Sequence, residues 1–370
     1  MNVHRLSNQI KIILIKVQVN KLFEFIRILL FLLLVSVDSS DQCRWVFDHY
    51  SPSPWELSWA NNVSQLQDKV CTVMTKKDQV QKSISILKYI IKSQKQLYQP
   101  NTISKEYDEL LSKMYYRYEC SDTSKSNRIV WQYIDPLVGL LRDPLTICNF
   151  TDIPSDLQLE GEYALQSKRL FLLGPSAPYR NFRPSKPSVA PWLYKPNSRK
   201  ILFDIGSTYF TGLENGSSLS TFGMRWFYKY FNSISLHFDR IVAFEVMKYP
   251  PEKYWDQIPE DILGVLTFIN VGVDATSKFN PWNILKSIAN VDDYVIIKLD
   301  IDRPQLEQNL ISQILKDPKI SSLIDEMFFE MHVTVKDMIP YWLYPPGQLK
   351  DSYSVFTKLR NLGIRMHSWP

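Results

Sequence analysis

The sequence predicts an α/β protein. A doubly wound, mostly parallel sheet fills its C-terminal part, and a mainly helical, disulfide-bearing region precedes it. Three observations predict this. From residue 200 onward, short apolar runs alternate with segments of helical spacing. Two of these runs, 201–205 and 240–245, reach an acid at the strand end, Asp204 in the first and Glu245 in the second, and Gly206 follows the first. Finally, Cys43, Cys71, Cys120 and Cys148 all lie before residue 150, behind a basic and apolar N-terminus.

The chain of 370 residues is 45% hydrophobic and 22% charged, which is globular composition with room for two domains. Only 11 residues are glycine, which argues against repeats and low-complexity tracts. Residues 1–38 hold five basic residues against two acidic ones, hence +3 of the net +5. The rest of the chain is nearly neutral and carries no nucleic-acid footprint. The apolar run 28–37 is ten residues long, shorter than the ~20 of a membrane span. Residues 1–38 therefore read as a signal peptide, or as a single N-terminal signal anchor with the remainder in the lumen. Either places the protein in the secretory pathway.

Residues 39–174 read as the helical region, with helices expected over 77–98, 103–118 and 129–141, the last bent by Pro136. Four cysteines in an exported chain imply two disulfides, with three pairings open. No pair has Cys-x-x-Cys spacing, so metal ligation by cysteine is not expected. Sequons at Asn62, Asn149 and Asn215 agree with export. Residues 175–199 are proline-rich and read as an extended connector.

In the last region, 200–370, strands are expected at 201–205, 240–245, 265–271, 294–299, 326–333 and 363–367. Helices are expected at 218–231, 251–257, 281–289, 304–316 and 351–361. The run 294–299 is nearly continuously apolar, as a central strand buried on both faces should be.

Chemistry concentrates at the strand ends. Asp204 and Gly206 suit a loop that passes beneath a nucleoside cofactor, and Glu245 suits hydrogen bonds to ribose hydroxyls. Asp300 and Asp302, two apart at a strand end, can bind a divalent metal or orient a substrate, or Asp302 can cap the helix that begins near Pro304. Glu330 lies within an apolar strand, a costly place for an unpaired carboxylate. His332 beside it can act as a base near neutral pH.

Five segments in order resemble the FkbM-type branch of the class I methyltransferases. They are Phe203-Asp-Ile-Gly206, Ala243-Phe-Glu245, Ile269-Asn-Val271, Lys298-Leu-Asp-Ile-Asp302 with Glu307, and Phe329-Glu330-Met-His332. The resemblance covers residues 200–335 and implies a seven-strand Rossmann-like fold that binds S-adenosylmethionine. It would place Asp204, Gly206, Ser207, Glu245 and Asn270 around the cofactor. Asp300 and Asp302 would face the methyl-transfer pocket, and Asp300, Asp302 or His332 could orient or deprotonate the acceptor oxygen. Arg303-Pro304 stands where the family has a glycine. The function this implies is an O-methyltransferase of the secretory pathway acting on a glycan or small hydroxylated acceptor. Two alternatives stand beside it. One is a Golgi-type glycosyltransferase using Asp300-Ile301-Asp302 as its metal motif, and the other is a non-catalytic exported protein with this fold.

Overall fold

The computed structural model describes residues 44–95, 105–120, 129–141, 148, 198–211, 223–233 and 236–369. The signal segment, the proline-rich connector up to residue 197, and the sequons at Asn149 and Asn215 lie outside them. Among the described residues, no helix is long and apolar enough to cross a membrane.

The sheet expected from residue 200 is present, with six parallel strands: β4 (Lys200–Ile205), β5 (Arg240–Phe244), β6 (Leu266–Ile269), β7 (Tyr294–Leu299), β8 (Glu326–Phe329) and β9 (Arg365–Ser368). Their order is β6-β5-β4-β7-β8-β9, the order of a Rossmann-like sheet. The resemblance implied seven strands, whereas six occur among the described residues and β9 pairs directly and in parallel with β8.

Side chains alternate between two apolar layers. Ile201, Phe203 and Ile205 of β4 join Val295, Ile297 and Leu299 of β7 on one face. That face is covered by helices α3 (Pro281–Ile288), α4 (Pro304–Lys316) and α5 (Leu349–Asn361), through Trp282, Ile314 and Phe356 among others. Leu202 and Ile296 face the other way, against α2 (Met224–Ser233), with Phe227, Phe231, Phe328 and Trp369. Every residue of β7 is buried, as the sequence led us to expect.

The N-terminal region departs from expectation. Helix α1 (Lys77–Lys95) is present. The segment expected as one helix over 103–118 is instead the short helix Lys105–Leu110 followed by β2 (Ser112–Glu119), and 129–141 opens as β3 (Ile129–Ile134). With β1 (Arg44–Ser51) these strands make a three-stranded sheet, β1-β2-β3, in which β2 and β3 are antiparallel. The physical reason is period two. Ser112, Met114 and Tyr116 are buried while Lys113, Tyr115 and Arg117 are more exposed, and the runs are rich in aromatic and β-branched residues. A disulfide joins Cys71 to Cys148.

Trp45–Arg117 and Ile129–Pro370 form one compact unit. Trp55, Trp59, Met74 and Leu137 share an apolar cluster with Ile201, Phe203 and Val295 of the parallel sheet. The fold on the far side of the proline-rich connector is therefore part of the same core.

Candidate active site

A crevice opens outside the carboxyl ends of parallel strands where the strand order reverses. Here that point lies between β4 and β7. A cavity of about 780 Å³ occupies it, within the size range of small-molecule sites. Gly206, Tyr209, Glu245, Tyr249, Asp300 and Asp302 contribute to its lining, from the segments that follow β4, β5 and β7.

Gly206 is required here, for a reason the sequence did not disclose. Its φ is +84°, and a Cβ added to it would stand 1.7 Å from the Asp300 carbonyl oxygen. The close approach seen here is to the neighbouring strand end, and Gly206 also lines the cavity. Asp300 N–H donates to Ile205 O at 3.0 Å, which clamps the two strand ends together.

Asp204 and Lys298 are Cα partners in the β4–β7 ladder. Both are buried, and Lys298 Nζ lies 3.5 Å from Asp204 Oδ1 and 3.3 Å from Asp300 Oδ2. The same ammonium donates to Gly206 O at 2.6 Å. Among the described residues neither Asp204 oxygen has a hydrogen-bond partner, so its compensation there is Coulombic. Asp204 thus lies beneath the crevice floor and outside its lining, while Lys298 joins the floor to Asp300.

Glu245 directly follows β5 and lines the cavity. Its Oε1 accepts the Met247 N–H at 2.6 Å. Burial raises its pKa, opposed by the Met247 N–H and the Lys298 charge. The phenol of Tyr249 beside it is pushed up to about 12, by burial first and then by the Glu245 charge. Tyr209 and Tyr249 pack ring to ring at 4.2 Å, forming an aromatic wall that the sequence reading missed.

Asn270 and Ser207 lie outside the lining. Asn270 Nδ2 donates to the carbonyls of Glu245 and Met247, at 2.8 and 2.6 Å, and so braces the loop that carries Glu245. Ser207 is fully buried, and its N–H donates to Phe244 O at 2.8 Å.

The acids after β7 separate. Asp300 turns to Lys298, whereas Asp302 meets His332, with Oδ1 3.5 Å from Nε2. Asp302 does not cap α4. The N-cap is Arg303, and Asp302 sits in the left-handed region at φ 53°. Glu307, fully buried in the first turns of α4, accepts the Ile301 N–H at 2.9 Å and faces His332 Nδ1 at 3.5 Å. Glu330 Oε1 stands 4.0 Å from His332 Nε2 and accepts the Trp342 indole N–H at 3.2 Å. Burial of His332 works against its protonation, but Glu307, Glu330 and Asp302 outweigh it and raise the pKa. His332 is outside the cavity lining and borders it through Asp302.

The crevice can hold a small ligand with an aromatic part against Tyr209 and Tyr249 and hydroxyls on Glu245. In comparisons with family models, curated proteins and solved structures, nothing matches this chain.

Proposed function

We propose that the protein is an S-adenosylmethionine-dependent O-methyltransferase, exported to the secretory pathway, with a glycan or small hydroxylated acceptor. The observation that carries this reading is the cavity at the β4–β7 reversal with Glu245 at the adjacent strand end. A buried carboxylate with one oxygen fixed by a backbone N–H is suited to ribose hydroxyls, and the tyrosine pair to a purine.

When bound, the cofactor supplies an electrophilic methyl group on sulfur. The acceptor oxygen must then be held in line and lose its proton. Asp300 and Asp302 line the cavity and suit that task. Lys298 holds Asp300 in place, and His332 acts as a positioning residue behind Asp302. Tyr341 and Tyr344 are largely exposed on the segment that carries Trp342, which contacts Glu330. Exposed aromatics of this kind suit the apolar face of a sugar ring.

Calorimetric titration of the full chain with S-adenosylmethionine tests the reading. The expected result is one site per chain. Absence of heat up to about 1 mM cofactor contradicts it. UDP with Mn²⁺ in a parallel titration tests the glycosyltransferase alternative.

A further inference from the structure

We propose that Asp302, Glu330 and His332 form a binding site for a divalent first-row cation, Mn²⁺ or Zn²⁺, at the edge of the crevice. The three offer ligand atoms that all lie within 4.8 Å of one another. His332 Nε2 is 3.5 Å from Asp302 Oδ1 and 4.0 Å from Glu330 Oε1. Two ligands each ~2.1 Å from a tetrahedral ion stand about 3.4 Å apart, so small rotations close the set around an ion.

The surroundings independently point to a cation. A metal-bound imidazole donates its other N–H to a carboxylate, which fixes the tautomer and turns the free nitrogen to the ion. Glu307 is placed for that role. It is fully buried, one oxygen is held by the Ile301 N–H, and the other faces His332 Nδ1 at 3.5 Å. The Trp342 indole N–H holds Glu330 in the same manner. Asp302 caps no helix, and its Oδ1 points to His332.

Charge agrees. Asp302, Glu307 and Glu330 face one imidazole, so the cluster is negative even with the ring protonated. One nitrogen and two carboxylate oxygens favour Mn²⁺ or Zn²⁺ over Mg²⁺ or Ca²⁺, which prefer oxygen alone, and over Cu(I), which prefers sulfur. This set shares Asp302 with the motif of the glycosyltransferase alternative and takes its other members from the segment after β8. An ion here would acidify an acceptor hydroxyl bound to it. That use rests on the methyl-transfer reading, whereas the binding does not.

The test uses the full chain, stripped with chelator and titrated with Mn²⁺, free ion being followed by electron paramagnetic resonance. Zn²⁺ is titrated separately by calorimetry. One ion per chain is expected, with affinity on the order of micromolar. Asp302→Asn and His332→Ala should each weaken it at least ~10-fold. Pulsed resonance on the Mn²⁺ form should show a coordinated ¹⁴N that His332→Ala removes. Asp302→Asn keeps the test decisive if the histidine variant misfolds, because Asp302 is exposed and asparagine also tolerates the left-handed region. Failure to bind either ion at about 1 mM, or unchanged affinity in Asp302→Asn, overturns the proposal.

Discussion

At Gly206, one added methyl group tests how the crevice is held. The new Cβ would meet the Asp300 carbonyl at 1.7 Å, and φ of +84° is itself unfavourable for alanine. Gly206→Ala should therefore cost more than about 2 kcal/mol in urea unfolding and spoil ligand binding through the same displacement. Lys298→Met is the matching test of the floor. It leaves Asp204 buried and uncompensated and should cost about 3–5 kcal/mol, much of which Asp204→Asn in the same chain should restore. Asp204, Gly206 and Glu245 were legible because an acid or glycine at the end of an apolar run is conspicuous. The reason for Gly206 was not, since its constraint comes from a strand 94 residues away along the chain from Gly206 to Asp300. Lys298 likewise acquires its role only through register, which pairs it with Asp204 across the ladder.

Among the elements, α4 was read from sequence to its last residue. Leu310, Ile311 and Ile314 form its buried stripe, Pro304 opens its first turn, and Asp317 before Pro318 ends it. The segments 103–118 and 129–141 failed because short aromatic runs satisfy helix and strand spacing alike until burial decides. Their strands pack onto the parallel sheet, which no local pattern announces. The Cys71–Cys148 bridge closes a separation of 77 residues beside this layer. Cys71→Ser/Cys148→Ser should lower stability by about 4.5 kcal/mol on the chain-entropy account, measured by denaturant unfolding against the oxidised parent. An unchanged midpoint would mean that the bridge constrains little.

Across the whole molecule, a buried ionic network binds the three-stranded sheet to β8, β9 and α5. Arg360 donates to Tyr50 Oη at 2.8 Å and to the Asp135 carbonyl at 2.9 Å, and its guanidinium lies 3.4 Å from Glu56 Oε2. Arg365 lies 3.6 Å from Glu326, its Cα partner in the ladder. His367 sits between Asp135 at 2.6 Å and Glu326 at 2.8 Å, while the Tyr294 hydroxyl also donates to Glu326. Burial opposes protonation of His367, but Asp135 and Glu326 prevail and raise its pKa. A histidine raised in the folded state contributes fully below its unfolded value of about 6.5 and loses that contribution as pH climbs through the folded value. Unfolding midpoints should therefore fall from about pH 6.5 upward through that window, and His367→Gln should flatten the slope. The sequence could not foretell this network, because its members are spread from Tyr50 to His367. It holds the sheet whose crevice is the functional claim, and that claim is tested most directly by titrating S-adenosylhomocysteine into the full chain and into Glu245→Gln. The account predicts one site in the parent, weakened at least about 10-fold in the variant at unchanged melting temperature, the loss expected when a charged hydrogen bond becomes neutral. Equal affinity in the two proteins, or no binding by the parent, would contradict it.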